Sequence, residues 1–528
     1  MDSTGPPIPS FDHITDPQAR AIIEQLCSMV AILQPRILEL EAENAELKRM
    51  LFGHKSERMC TVDEELKKKR KNSRADKARR RQAAKEKRRE NAEAKKKLPE
   101  EEVVHQVPEQ DQVCPHCGGT KFDDLGEGEV SYEYEWVPGH FVRRKHVRKK
   151  KACRCGQYIV TAPAPARVID GGEYGPGFYA HVVVSKCCDS IPLYRQEKQL
   201  KRLGIRVNRS TMCVLFHRTA DLVKPIWERL LELAPHSEYV NGDETVVWVL
   251  EPIRTRRAYM WVFVVPDAVV YYFSPSRSGE TPRKVLGDST GTLQVDAYSG
   301  YNQVTTPERR TRAGCWSHVR RRFYAALETA RDEAKYALDR ILDLYEVEYD
   351  AAEQNVLGSD RHLAMRRARS DGTVQKFHKW LKEQEPLHPP KSPMGKAVGY
   401  ALNNSKALIV FLSDAKVRLD NNISEQQLRI IALGRKNYLF LGHDLSGEHL
   451  AILQSLISTC ELNGVNPQEY LTDVLIRIQT HPMSRIDELL PQNWQPPNPP
   501  AGDRPDNDRA RASQQRDNDP GEVTVASN

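Results

Sequence analysis

Glu238-Tyr-Val-Asn-Gly-Asp243-Glu-Thr-Val-Val-Trp-Val-Leu250 reads as a β-strand that carries an acid. β-branched and aromatic residues dominate after Asp243, and such side chains fit a pleated, half-buried surface. Asp243 falls where the apolar pattern gives way to polar residues. The same happens in Gly291-Thr-Leu-Gln-Val-Asp296-Ala-Tyr-Ser-Gly-Tyr301. A third acid lies in Leu419-Asp-Asn-Asn-Ile-Ser-Glu425-Gln-Gln-Leu-Arg429, where an amphipathic helical run opens. A single Asp is usually a cap or a surface group. Two strand carboxylates and one helix carboxylate together suit a site that holds two divalent cations and cuts phosphodiesters.

Strands are expected over 239–250, 258–266, 269–275 and 291–296, with a helix at about 280–287. Residues 317–352 look helical, and so do most of 353–418, punctuated by Pro386, Pro389, Pro390 and Pro393. This helical insertion separates the second acid from the third. Further helices are expected over 424–432 and 448–478, and the Pro-, Asn-, Asp- and Arg-rich tail after Pro491 reads as disordered.

The 528 residues allow several domains, and 39% hydrophobic with 29% charged content fits a soluble chain with real cores. The net charge of +7 hides an asymmetry: residues 67–97 hold 17 Lys/Arg against 4 Asp/Glu, a local +13, so the rest sums to −6. Such a block meets polyanions or stays a solvated linker. The N-terminus Met1-Asp-Ser-Thr-Gly-Pro-Pro lacks the features of a secretory signal, and the apolar window 258–273 is broken by Pro266 and Asp267, too short for a membrane span. Eleven cysteines with one metal-like cluster fit a reducing compartment. A cytoplasmic, nucleoid-associated protein with no membrane partner is expected.

Apolar residues recur at Ile23, Leu26, Val30, Leu33, Ile37, Leu40, Leu47 and Leu51, with Asn44 in one core position. This alternation of threes and fours is a parallel coiled-coil pattern, and a buried Asn favours a dimer; the alternative is an amphipathic helix packed on its own chain. Pro35 predicts a kink or two shorter helices. Residues 59–100 are nearly free of large apolar groups and read as a basic tether, helical when bound to DNA. Cys114-Pro-His-Cys117-Gly-Gly is a zinc-knuckle half-site, and Cys153-Arg-Cys155-Gly supplies a second pair, with β-like segments at 130–137 and 141–147 between them. His116, His140 or His146 could replace one ligand. Nothing suggests the open position of a catalytic zinc. Thr161-Ala-Pro-Ala-Pro-Ala is an extended linker. An amphipathic helix over 191–203, a turn at Gly204 and a second helix capped by Asn208 or Ser210 form a helix-turn-helix pattern or a plain helical hairpin. Arg206, Arg209, Ser210 and Thr211 stand at its recognition end.

In Cys315-Trp-Ser-His318-Val-Arg-Arg-Arg322, Trp316 either stacks on an unpaired base or belongs to the core. His318 either orients a phosphate or is a structural hydrogen-bonder. Arg435 and Lys436, beyond Glu425, are expected phosphate contacts.

Residues 241–250, 291–301, 315–323 and 420–442 resemble the motifs of bacterial transposases of the insertion-sequence sixty-six family. So do Leu51-Phe-Gly-His-Lys-Ser-Glu-Arg58, Cys114-Pro-His-Cys117-Gly, Ile159-Val-Thr-Ala-Pro-Ala-Pro-Ala, Pro192-Leu-Tyr-Arg195-Gln and Leu433-Gly-Arg-Lys-Asn-Tyr-Leu-Phe440. The motifs occur in order over roughly 37–495. The resemblance implies a multidomain α/β protein: a ribonuclease-H-like catalytic domain with a helical insertion, preceded by a coiled coil, a zinc-binding module and a helix-turn-helix. The implied layout is coiled coil 16–58, basic linker 59–100, zinc-binding module 101–165, helix-turn-helix region 166–235, catalytic domain 236–352 and 419–495, insertion 353–418 and tail 496–528. The catalytic triad maps onto Asp243, Asp296 and Glu425, holding two Mg2+ or Mn2+ ions, while Cys114, Cys117, Cys153 and Cys155 hold structural Zn2+. Arg195 joins the set expected to touch DNA. Two departures stand out: Cys153 and Cys155 have one intervening residue where the family has two, and Gln426 replaces an Arg after the catalytic Glu.

The implied activity is DNA transposition: binding of element ends, Mg-dependent strand cleavage and strand transfer. Double-stranded DNA, a second copy of the chain and accessory transposition proteins are the implied partners. A DNA-binding regulator with a vestigial catalytic fold would have lost an acid, and none is lost. A ribonuclease-H-like nuclease without strand transfer would carry the same triad.

Overall fold

A computed structural model describes residues 16–52, 65–66, 74–95, 139, 141–152, 159–169 and 171–496. The chain divides into two compact units, one of residues 56–144 and one of residues 1–55 with 145–528. In the larger unit, α1 (Pro17–Phe52) is one 36-residue helix that runs through Pro35, where two shorter helices were the alternative to a kink. Ile22, Leu26, Met29, Val30, Leu33, Ile37 and Leu40 along it are all about half exposed. In the smaller unit, α2 (Arg74–Lys95) is helical. Its Ala, Arg, Lys and Glu are strong helix formers, and Arg89 pairs with Glu93 one turn on.

A short antiparallel ladder, β1 (Lys150–Ala152) with β2 (Ile159–Thr161), pairs Ala152 with Ile159 and so flanks the second cysteine pair. Residues 141–147, expected as a strand, form no ladder among the described residues: the basic run there is exposed, and the strand starts only at Lys150. Three helices follow: α3 (Pro176–Cys187), α4 (Leu193–Arg202) and α5 (Arg209–His236). Gly204 turns the chain between α4 and α5 at φ +85°, a region that only glycine enters cheaply. α5 extends for 28 residues, and Trp227 on it donates from Nε1 to the Tyr271 carbonyl of the sheet at 3.1 Å.

The sheet has five strands among the described residues. β3 (Tyr239–Leu250), β4 (Thr255–Val265) and β5 (Ala268–Ser274) form an antiparallel meander. After α6 (Glu280–Leu286), β6 (Thr292–Gln294) pairs parallel with β3, and β7 (Thr311–Ala313) pairs parallel with β6. The spatial order is β5-β4-β3-β6-β7, which makes β3 the central strand. Strand β7 escaped the sequence reading, because three residues are too few to show alternation.

A block of helices follows: α7 (Trp316–Ala326), α8 (Arg331–Glu353), α9 (Asp360–Met365), α10 (Asp371–Gln384), α11 (Pro393–Asn403) and α12 (Ser405–Leu408). It closes around a core that includes Trp316, Phe323, Phe377 and Phe411. The chain then returns to the sheet through α13 (Asn422–Tyr438), α14 (Asp444–Leu462) and α15 (Pro467–Arg477). α14 is buried almost all round and covers the edge strand β5. Ser455 accepts the Tyr271 N–H at 2.8 Å, and Thr459 accepts the Val269 N–H at 3.1 Å. These side chains, four apart on one helix face, satisfy edge groups that would otherwise invite another strand. Among the described residues no helix is long and apolar enough to cross a membrane.

Candidate active site

Asp243 sits on the central strand, opposite Val262 of β4. On its other side, Asn241 of β3 is level with Gln294 of β6. Continuing that parallel register by two residues on each chain leads to Asp243 and Asp296. The Oδ1 of Asp296 accepts the Tyr298 N–H at 2.9 Å, and its backbone carbonyl accepts from Arg312, so the chain just beyond β6 is tied down. Glu425 lies in the first turn of α13, a favourable end for an acid. Its carboxylate meets Arg321 at 3.2 Å and His318 Nε2 at 3.8 Å. Both partners come from α7, three residues apart and thus on one face.

The other acids are felt at Asp243. Burial, and then the charges of Glu244, Asp296 and Glu425, push Asp243 from the usual carboxylate range up to about 8. Glu244, the next residue, points to the opposite face of the sheet. It is 2% exposed and is held by Arg277 and by the Tyr301 hydroxyl at 2.8 Å. Burial raises its pKa, while Tyr301 and Arg277 pull it back. Burial lowers the pKa of His318, opposed by Glu425, and its Nδ1 is buried with no hydrogen-bond partner among the described residues.

Among the described residues no group of three or more His, Cys, Asp or Glu side chains converges closely enough to hold a metal ion. Glu425 is engaged by Arg321 and His318, and three like charges repel. The donor set nevertheless fits a hard divalent cation: it is all carboxylate oxygen, and a cation would favour the ionised form of Asp243 that desolvation and the neighbouring acids now oppose.

The residues expected to touch DNA fall in several places. Arg195, on α4, bonds the Tyr194 hydroxyl at 3.0 Å and Asn437 Oδ1 at 3.3 Å, which brings it to the end of α13 beside the exposed Lys436. Arg435 reaches the Val246 carbonyl on β3. Arg206, Arg209 and Ser210 are exposed at the turn into α5, and Thr211 is partly covered. Trp316 is corrected: it is 2% exposed, its Nε1 donates to the Leu408 carbonyl at 2.9 Å, and its ring packs on Phe377 and Phe411. No face is left for a base. Cys114, Cys117, Cys153 and Cys155, with His116 and His140, lie outside the described residues.

Sequence reasoning missed Glu244, Arg277 and Tyr301, and the buried amides Asn241, Gln294 and Asn421. The signal for Asn241 was present: it stands two residues before Asp243 on one strand, which puts both on one face.

The transposase IS66 family matches residues 171–449, the IS66 C-terminal element matches 455–492, and the zinc-finger binding domain of transposase IS66 matches 111–156. The chain therefore belongs to the transposase IS66 family, and its zinc-finger domain supports a structural Zn2+. Uncharacterized protein y4jD of Sinorhizobium fredii (strain NBRC 101917 / NGR234) is 31% identical over 503 residues, 89% of this chain and 97% of that protein. Uncharacterized protein y4hP of the same strain is 30% identical over 414 residues, 74% of each chain.

Proposed function

We propose that the chain is a metal-dependent DNA transposase that binds the ends of a mobile element, cleaves strands there and joins the freed 3′ hydroxyls to target DNA. The observation that carries this is the register that leads from Asp243 on the central strand β3 to Asp296 just beyond β6, with Glu425 in the first turn of α13 and both acids' charges felt at Asp243. An antiparallel meander continued by two parallel strands, with the first acid on the central strand, supports a ribonuclease-H-like catalytic domain. Asp243, Asp296 and Glu425 would hold Mg2+ or Mn2+. Two such ions supply an activated water or hydroxyl and stabilise the leaving oxygen.

The chain's own residues do the rest. Partial burial of Asp243 strengthens its charge interactions with Asp296 and Glu425 relative to bulk water. Arg321, half exposed beside Glu425, is placed to meet a phosphate oxygen once Glu425 turns to a cation. Lys436 and Arg195 offer further positive charge near the far end of α13. Outside the catalytic region, the zinc-finger domain, the α4–α5 hairpin and basic α2 form the DNA-binding apparatus, with the hairpin acting as a helix-turn-helix. The exposed apolar stripe of α1 pairs with a second copy, which suits an enzyme that must bring two ends together.

The test is Mg-dependent nicking of a labelled duplex carrying the element's own end, wild type beside Glu425→Gln. Nicking by the wild type alone supports the triad. Equal nicking by both removes Glu425 from it, and end binding without nicking by either favours a regulator.

A further inference from the structure

We infer that Asn421, Asn241 and Gln294 are positioning residues: a buried amide layer that sets the separation of the three acids. The inference rests on the functional reading above. Each amide precedes an acid by one structural period. Asn241 is two residues before Asp243 on β3, and Gln294, the last residue of β6, is two before Asp296, where the chain continues beyond the strand; side chains of a strand repeat every two residues. Asn421, at the start of α13, is four residues before Glu425 and accepts the Glu425 N–H with its own carbonyl at 3.3 Å. The amides thus form one layer, and the acids form the next on the same faces.

The amides are joined to one another, not merely buried. Asn421, 0% exposed, donates from Nδ2 to the Gly242 carbonyl at 2.8 Å. Its Oδ1 accepts from Asn241 Nδ2 at 2.9 Å and from Ser424 Oγ at 3.1 Å. Its backbone N–H donates to Cys315 Sγ at 3.3 Å, which ties in the start of α7. Gln294, also 0% exposed, donates from Nε2 to the Gly314 carbonyl at 3.1 Å and the Arg418 carbonyl at 2.6 Å. Its Oε1 accepts from the Tyr239 hydroxyl and from Asn241 Nδ2 at 3.5 Å. One network therefore spans β3, β6, the segment before α13 and the turn into α7. Apolar packing would let these elements slide by fractions of an ångström, whereas directional bonds in a low-dielectric core specify one arrangement. Glu425 arrives from the far end of a long helical insertion, so Asn421 is what seats its helix against the strand that bears Asp243.

The test uses the full chain without DNA and Mn2+ as the probe, with free Mn2+ followed by its electron paramagnetic resonance. Asp243→Asn sets the value for a lost ligand. Thr459→Val removes two buried hydrogen bonds to β5 at the opposite edge of the sheet and sets the value for general destabilisation. Asn421→Ala is expected to weaken Mn2+ binding about tenfold or more, as supporting residues behind metal ligands do, and Thr459→Val to leave it unchanged. In the nicking assay Asn421→Ala should raise the metal concentration for half-maximal rate and regain most of the rate at saturating Mn2+. Gln294→Ala repeats the measurement should Asn421→Ala fail to fold. Wild-type Mn2+ affinity in both amide variants, or an equal loss in Thr459→Val, overturns the amide layer while the functional reading stands. Undiminished Mn2+ binding by Asp243→Asn overturns the functional reading itself.

Discussion

Asp243 shows how strongly one buried position can be set by its neighbours. Its carboxyl is pushed up to about 8, first by burial and then by Glu244, Asp296 and Glu425. Between pH ~4 and ~8 the folded chain holds a proton that the unfolded chain has released, so this group makes stability fall as pH rises across that window. Asp243→Asn removes the effect. In metal-free buffer its Tm should match the wild type near pH 4 and exceed it by roughly 5 °C at pH 8. A difference that does not vary with pH would mean that Asp243 titrates normally. Arg321 acts in the other direction. Its ion pair with Glu425, half exposed on the arginine side, is worth about 0.5–1 kcal/mol and competes with a cation for the carboxylate. Arg321→Ala should therefore tighten Mn2+ binding about two- to fivefold by titration. Weaker binding would show that Arg321 supports the site and does not compete for it.

The elements are held by close approaches that the local pattern does not announce. Gly447 on α14 lies against the Phe273 ring of β5, and an added Cβ would stand 2.3 Å from a ring carbon. Gly447→Ala should destabilise the chain by about 1–3 kcal/mol through overpacking. Gly399, inside α11, has nothing within 4 Å of an added Cβ, so Gly399→Ala should stabilise it by about 0.5–1 kcal/mol. Urea melts of the two variants should move in opposite directions; a common direction would contradict the helix–sheet contact. The strands and helices around the acids were legible in sequence because they are long and patterned: β3, β4, β5 and α4 lie close to their expected spans, while α13 starts as expected but runs six residues further, to Tyr438. β7 and the many breaks in the insertion were not, because three-residue strands and single-turn helices carry too few residues for a period to show.

At the scale of the whole molecule, α1 presents a row of half-exposed apolar side chains from Ile22 to Leu40, about five turns of helix. A stripe of that length would be costly to leave in water, which is why we assign it to self-association. Replacing Leu26 and Leu33 together by Asp should halve the mass seen by light scattering while leaving the melt of the sheet-containing unit unchanged. A mass that does not change would remove α1 from the assembly. On the proposed function such pairing has a purpose, since an enzyme that joins two element ends would hold both at once.

The sequence by itself determined the α/β class, the cysteine spacing and the family, because each is written in local pattern or in ordered motifs, and the same patterns single out the three candidate acids. Trp316 shows where that stops: base stacking and core packing demand the same residue type, and only its burial against Phe377 and Phe411 chose between them. The amide layer is a second case. Asn421 is distant in sequence from Asn241 and Gln294, and a hydrogen bond between them exists only once the insertion has folded and returned α13 to the sheet. The raised pKa of Asp243 has the same origin, because burial and Coulombic repulsion depend on distances in space.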